Sequence, residues 1–200
     1  MKKGFENSAL VLIDFQQAFL EMEEAGARRN NPEALTNARR LLTHCRGEQI
    51  AIFHVRHAST ETGSCLRRGE SGYETIIGME ESGGEPVLLK SVNSAFIGTD
   101  LERRLREGGK HTLFIAGITT NHCVETTTRM AGNLGFDARL VEDACYTFDR
   151  IGFRGQLETA EAVHTMSLSN LAGEFATIET TAEVVAKLTS KSARRTKADA

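Results

Sequence analysis

The sequence lacks any pair of cysteines at C-x-x-C spacing. Its four cysteines, Cys45, Cys65, Cys123 and Cys145, are scattered and show no zinc-type spacing. No apolar run approaches the ~20 residues that a membrane-spanning helix needs. No charge of one sign dominates: the net charge is −3, which gives no global drive toward nucleic acid or an anionic membrane, and neither is expected as a partner. No G-x-G-x-x-G follows a strand and there is no P-loop, so a nucleotide cofactor is not implied. Met1-Lys2-Lys3 resembles the start of a signal n-region, but the apolar run after it ends early, at Asp14. A cytoplasmic location with reduced thiols is therefore expected.

What is present is an alternation of apolar runs and helical stretches. Strands are read near 8–14, 50–55, 86–90, 111–117, 138–142 and 175–178, and helices near 33–46, 99–108, 123–135, 156–172 and 180–189. This order predicts an α/β fold with a parallel sheet covered on both faces. Residues 1–190 suit one domain, and the basic, polar segment 191–200 reads as a disordered tail. Asn31-Pro32-Glu33 reads as a helix start, and Thr99 with Glu102 reads as a capping box. Residues 58–85 lack a strong period and contain six glycines, the pattern of a lid, a subunit-contact loop or a loose insertion.

Three strand ends carry reactive side chains. Ala9-Leu10-Val11-Leu12-Ile13 ends in Asp14, Pro86-Val87-Leu88-Leu89 ends in Lys90, and His111 to Ala116 leads through Gly117-Ile118-Thr119-Thr120-Asn121-His122 to Cys123. In open α/β sheets ligands bind at such ends. An acid, a base and a nucleophile gathered there form a site with assignable roles. The first turn of a helix carries unpaired N–H groups, so Cys123 is expected to ionise more easily than a free thiol. Singly, each residue has a plain structural alternative: a buried inert cysteine, an aspartate turn or cap, a solvated lysine.

With those residues in view, the chain resembles the isochorismatase-like cysteine hydrolases over roughly residues 6–188. The resemblance is carried by Leu12-Ile13-Asp14-Phe15-Gln16-Gln17-Ala18-Phe19, by Lys90-Ser91-Val92-Asn93-Ser94-Ala95-Phe96 and by Ala116 to Val124. The amidohydrolase branches, the streptothricin-hydrolase-like and N-carbamoylsarcosine-amidase-like members, look most similar. The resemblance implies a three-layer α/β/α, Rossmann-like domain with six parallel strands in the order 3-2-1-4-5-6. It places a triad on Asp14, Lys90 and Cys123, and a cis peptide between Ile118 and Thr119. The backbone N–H groups of Thr119 and Cys123 would serve as oxyanion donors. Gln16, Phe19 and Phe96 would contact substrate, with core packing as the alternative for both phenylalanines. Tyr146 and Phe148 are further candidates.

The implied activity is hydrolysis of a small-molecule amide, ureido or lactam bond through a thioester, without an organic cofactor, in a homo-oligomer such as a dimer or tetramer. Nicotinamidases of this family carry an Asp-x-His pair after the second strand. Here His57 matches the histidine, but Val55 replaces the aspartate, and His54 and His57 should face opposite sides of a strand. No metal site is therefore expected. Arg56, His57, Arg67 and Arg68 offer an alternative role in recognising a polar group. His122 reads as structural. The alternatives for the whole chain are vinyl-ether hydrolysis, which needs no thiol, and a non-catalytic binding or redox-sensing relative.

Overall fold

The computed structural model describes residues 5–198. Six strands form the main sheet: β1 (Ser8–Ile13), β2 (Ala51–His57), β3 (Val87–Lys90), β4 (Thr112–Ile118), β5 (Asp137–Tyr146) and, last in the chain, β8 (Thr177–Glu179). All pairings are parallel, in the order β3-β2-β1-β4-β5-β8. This is the expected order up to numbering, because a small antiparallel hairpin, β6 (Arg150–Ile151) with β7 (Leu157–Glu158), intervenes before the last strand. The hairpin takes the first residues of the expected helix at 156–172, which begins instead as α5 (Ala160–Leu171), capped by Thr159.

Ala9 to Ile13 of β1 are all essentially inaccessible, as expected of a strand covered on both faces. The helices provide that cover. In α2 (Ala34–Gly47), Ala34, Ala38, Leu41, Leu42 and Cys45 repeat at helical spacing and are all buried. α2 pairs with α6 (Thr181–Ala198), and α4 (Glu125–Asn133) pairs with α5, both pairs packing on β5. α3 (Leu101–Glu107) buries Leu101 and Leu105. The capping box at Thr99 does not form: Asp100 is the cap position, Thr99 Oγ1 donates to the Ala95 carbonyl, and Glu102 pairs with Arg106 one turn on. A short helix absent from the sequence reading, α1 (Ala18–Glu24), follows Asp14. Residues 191–198, expected to be a disordered tail, continue α6; their Lys, Arg and Ala are good helix formers. The last two residues of that expected tail lie outside the described range.

The 58–85 segment has little secondary structure but is docked. Gln17 N–H donates to Glu74 O, Ile76 N–H donates to Phe15 O, and Arg39 and Arg46 donate to the carbonyls of Ile77 and Glu80. Ile76 and Met79 are buried within the core.

Candidate active site

The sheet brings the three strand ends together. Ile13 is in register with Val55 on one side and Gly117 on the other, and His57 is in register with Lys90. Asp14, directly after β1, takes a left-handed backbone (φ 54°), a conformation Asp tolerates better than most residues, and its N–H is held by Val55 O. Gly117 is required beside it, because a Cβ there would fall on the Ile13 carbonyl oxygen. After Gly117 the Ile118–Thr119 peptide bond is cis. Thr120 to Val124 then form a single π-type turn that delivers Cys123 at the entrance to α4.

Lys90 joins the cluster. Its Nζ donates to Asp14 Oδ2 at 2.7 Å and to Cys123 Sγ at 3.2 Å, and lies 3.1 Å from His57 Nδ1. Asp14 and Lys90 are 1% and 2% exposed, so each charge depends on the other. Asp14 Oδ1, also buried, has no hydrogen-bond partner. Cys123 Sγ lies 3.8 Å from Asn93 Oδ1. The expectation of an easily ionised thiol is overturned. Burial, followed by the Asp14 charge, pushes the Cys123 thiol up to about 12, with Lys90 opposing. The ammonium is already balanced by Asp14, so little net positive charge remains to favour a thiolate.

These groups open on a cavity of about 590 Å³. Its floor includes Asp14, His57, Thr119 and Cys123, and much of its wall is apolar, with Phe19, Met22, Leu66, Phe148 and Ile151. Phe19 and Phe148 stack at 6.4 Å. Two expected substrate contacts are placed elsewhere. Gln16 is buried and spends its amide on main chain: Nε2 donates to His57 O and Tyr73 O, and Oε1 accepts from His57 N–H. Phe96 stacks on Phe136 at 5.8 Å and is absent from the cavity wall. Tyr146 is fully buried with Arg29 over its ring. Arg56 is tied to Thr75 and Glu81, while Arg67 and Arg68 border a separate hollow.

His57 and His164 take places that the apolar runs do not mark. His164, 2% exposed, meets Thr120 Oγ1 through Nδ1 at 2.8 Å and so ties the nucleophile turn to α5. His122 lines the cavity and faces Thr119 Oγ1 through its Nδ1 at 3.1 Å. Ligand atoms of Asp14, His57 and Cys123 lie within 4.8 Å of one another, the nearest approach to a metal-binding cluster among the described residues. Lys90 Nζ contacts all three residues, so a divalent cation would have to displace an ammonium already paired with Asp14, and the donor set does not fit one.

Comparison with known proteins agrees with this architecture. Residues 8–183 match the isochorismatase domain. The isochorismatase family protein YrdC of Bacillus subtilis is 39% identical over 186 residues, covering 90% of this chain and 95% of that one. Nicotinamidase 3 of Arabidopsis thaliana is 29% identical over 84% of this chain and 82% of its own length. Among solved structures, an isochorismatase-family protein from Chromobacterium violaceum superposes with a TM-score of 0.89 at 40% identity, over 95% of this chain and 97% of that one. The chain belongs to the isochorismatase family.

Proposed function

We propose that the protein is a cysteine hydrolase that cleaves an amide, ureido or lactam C–N bond of a small molecule through a thioester on Cys123. The observation that carries this reading is the Lys90 ammonium bridging Asp14 and Cys123 while the second Asp14 oxygen stays buried and unpartnered. A carboxylate with a free lone pair beside a protonated thiol is a proton acceptor waiting for its donor.

The thiol rests neutral, so its proton leaves as the bond forms. Cys123 S–H gives its proton to Asp14 as sulphur attacks the carbonyl carbon. The oxyanion is held by the backbone N–H groups of Thr119 and Cys123. The C–N bond then breaks, Asp14 returns the proton to the leaving nitrogen, and a thioester remains. Water attacks the thioester, Asp14 takes one of its protons, the C–S bond breaks, and the thiol is restored with the acid product released. Lys90 stays hydrogen-bonded to Asp14 and offsets the carboxylate charge between steps. The likeness to a nicotinamidase, and the 38% identity to the ureidoacrylate amidohydrolase RutB of Variovorax paradoxus over 84 residues (42% of this chain, 33% of that one), support C–N bonds as the class cleaved. The apolar wall favours a substrate with an apolar body.

The test is release of ammonia or amine from a panel of amides, ureides and lactams, with Cys123→Ser alongside. Release that depends on Cys123 supports the reading. Conversion of isochorismate that survives Cys123→Ala would replace it with vinyl-ether hydrolysis. A cytoplasmic location accompanies the proposal, supported by the four cysteines, all unpaired. So does self-association, as a dimer or tetramer, supported by the exposure of Ile151, Phe153 and Leu157 on the hairpin.

A further inference from the structure

We infer that Lys90 fixes the His57 imidazole as its Nε2–H tautomer, and that this N–H is a hydrogen-bond donor to an acceptor oxygen of the substrate. The inference rests on the hydrolase reading and adds a substrate-positioning residue to it.

An ammonium has three donors and no acceptor. The three neighbours of Lys90 Nζ are Asp14 Oδ2 at 2.7 Å, His57 Nδ1 at 3.1 Å and Cys123 Sγ at 3.2 Å. Contact with Nδ1 therefore requires a lone pair on that atom, and the ring hydrogen belongs on Nε2. A doubly protonated ring would set N–H against N–H over the same 3.1 Å. Burial and then the Lys90 charge hold His57 below the usual imidazole range, in keeping with a neutral ring.

The ring is also held in place. Gln16 accepts from the His57 N–H and donates to the His57 carbonyl, fixing its backbone on both sides. The ring lines the cavity beside Asp14 and Cys123. No protein acceptor for Nε2 is found among the described residues, and Nε2 is not among the sealed, unpartnered atoms of the interior. A fixed N–H that opens on the cavity next to the nucleophile suits a carbonyl or carboxylate oxygen.

The experiment has two arms. In the first, protein labelled with ¹⁵N-histidine is examined by long-range ¹H–¹⁵N spectroscopy at neutral pH. His57 is expected with its hydrogen on Nε2, and Lys90→Met is expected to release it to a mixture of tautomers. A hydrogen on Nδ1, or on both nitrogens, in the unaltered protein overturns the inference. In the second arm, alkylation of Cys123 at mildly alkaline pH is followed by mass spectrometry with iodoacetamide, which offers a carbonyl acceptor, and with allyl bromide, which offers none. His57→Phe should lower the iodoacetamide-to-allyl bromide rate ratio by about threefold to tenfold, the worth of one hydrogen bond. His57→Gln, which restores an N–H donor, should recover part of it. An unchanged ratio in His57→Phe overturns the inference and leaves the hydrolase standing. The first arm needs neither alkylation of Cys123 nor turnover, so a wrong tautomer sinks the inference even in a working enzyme. Absence of Cys123-dependent turnover together with absence of labelling by either reagent sinks the hydrolase reading, and this inference with it.

Discussion

His54 and His57 stand three residues apart on β2 and meet opposite charges. His54 Nε2 lies 2.8 Å from Glu85 Oε2, and that carboxylate also takes two bonds from Arg46 and the Ser82 N–H. His57 meets the Lys90 ammonium instead. Burial lowers both imidazoles, but Glu85 pulls against it at His54, whereas Lys90 adds to it at His57. The Glu85 cluster ties the end of the 58–85 segment to α2 and the sheet. The Lys90 cluster faces a cavity and leaves Asp14 Oδ1 without a partner. One group of charges is closed and holds the fold; the other opens on the cavity of the proposed reaction site.

That contrast can be tested, beginning with the largest expected effect. Cys123→Ser and Asp14→Asn should lower C–N bond hydrolysis by at least about 10³-fold, since acid–base work alone contributes about 10²–10⁴-fold; the melting temperature should hold in Cys123→Ser and fall in Asp14→Asn, which leaves the Lys90 ammonium buried without its partner. Both are read from product release and a thermal scan; substantial turnover in Asp14→Asn would remove its role as proton carrier. Lys90→Met leaves the Asp14 charge buried without its partner. It should destabilise the fold by about 3–5 kcal/mol, measured by denaturant unfolding, besides abolishing turnover.

Alkylation should separate the thiols by environment. With Cys123 pushed up to about 12, its thiolate is scarce at neutral pH, so the exposed Cys65 should react with iodoacetamide first. The Cys123 rate should climb steadily as pH rises beyond 8; a plateau near pH 7 would show an ionised thiol in the resting protein. The smallest effect belongs to the closed cluster. Burial opposes ionisation of Glu85, but the bonds from Arg46, Ser82 and His54 prevail and bring its carboxyl from 4.5 down to about 2. Its stabilisation is therefore full above about pH 4.5 and fades as pH falls toward 2. Glu85→Gln should lose about 1–2 kcal/mol at neutral pH after solvent screening, less at pH 3, with kcat unchanged.

The strand ends were legible because continuous apolar runs stop at a charged residue or a glycine, which marks where a buried strand leaves the core. Asp14 and Lys90 stand on that signal, Cys123 is reached through the turn beyond Gly117, and it is the three together, with the family resemblance, that mark a site. Gln16 and Phe96 were misplaced for a local reason that apolar spacing does not reveal. The left-handed turn at Asp14, closed by a bond from Gln16 N–H to Asp14 O, directs the Gln16 amide at the backbone of His57. Phe96 finds an aromatic partner in Phe136, forty residues on. The expected ionisation of Cys123 fails because burial, and then the Asp14 charge brought in from another strand, outweigh the helix terminus and the Lys90 ammonium. The role of His164 depends on a long-range contact with Thr120, for which its position in α5 gave no sign.

β5 runs for ten residues, from Asp137 to Tyr146, and the chain after it supplies Thr147, Phe148, Asp149, Arg150 and Ile151 to the cavity wall. The proposed nucleophile, by contrast, arrives on the turn after β4, and the proposed proton acceptor and its lysine partner come from the ends of β1 and β3. On the proposed reading, reactivity and shape are thus carried by different stretches of chain, which meet where Thr147 Oγ1 donates to Asn121 Oδ1 and Arg150 lies beside His122. If Asp14, Lys90 and Cys123 carry the chemistry as proposed, selectivity should be open to redesign at Phe148 and Ile151, which line the cavity without a hydrogen bond to the turn of Cys123.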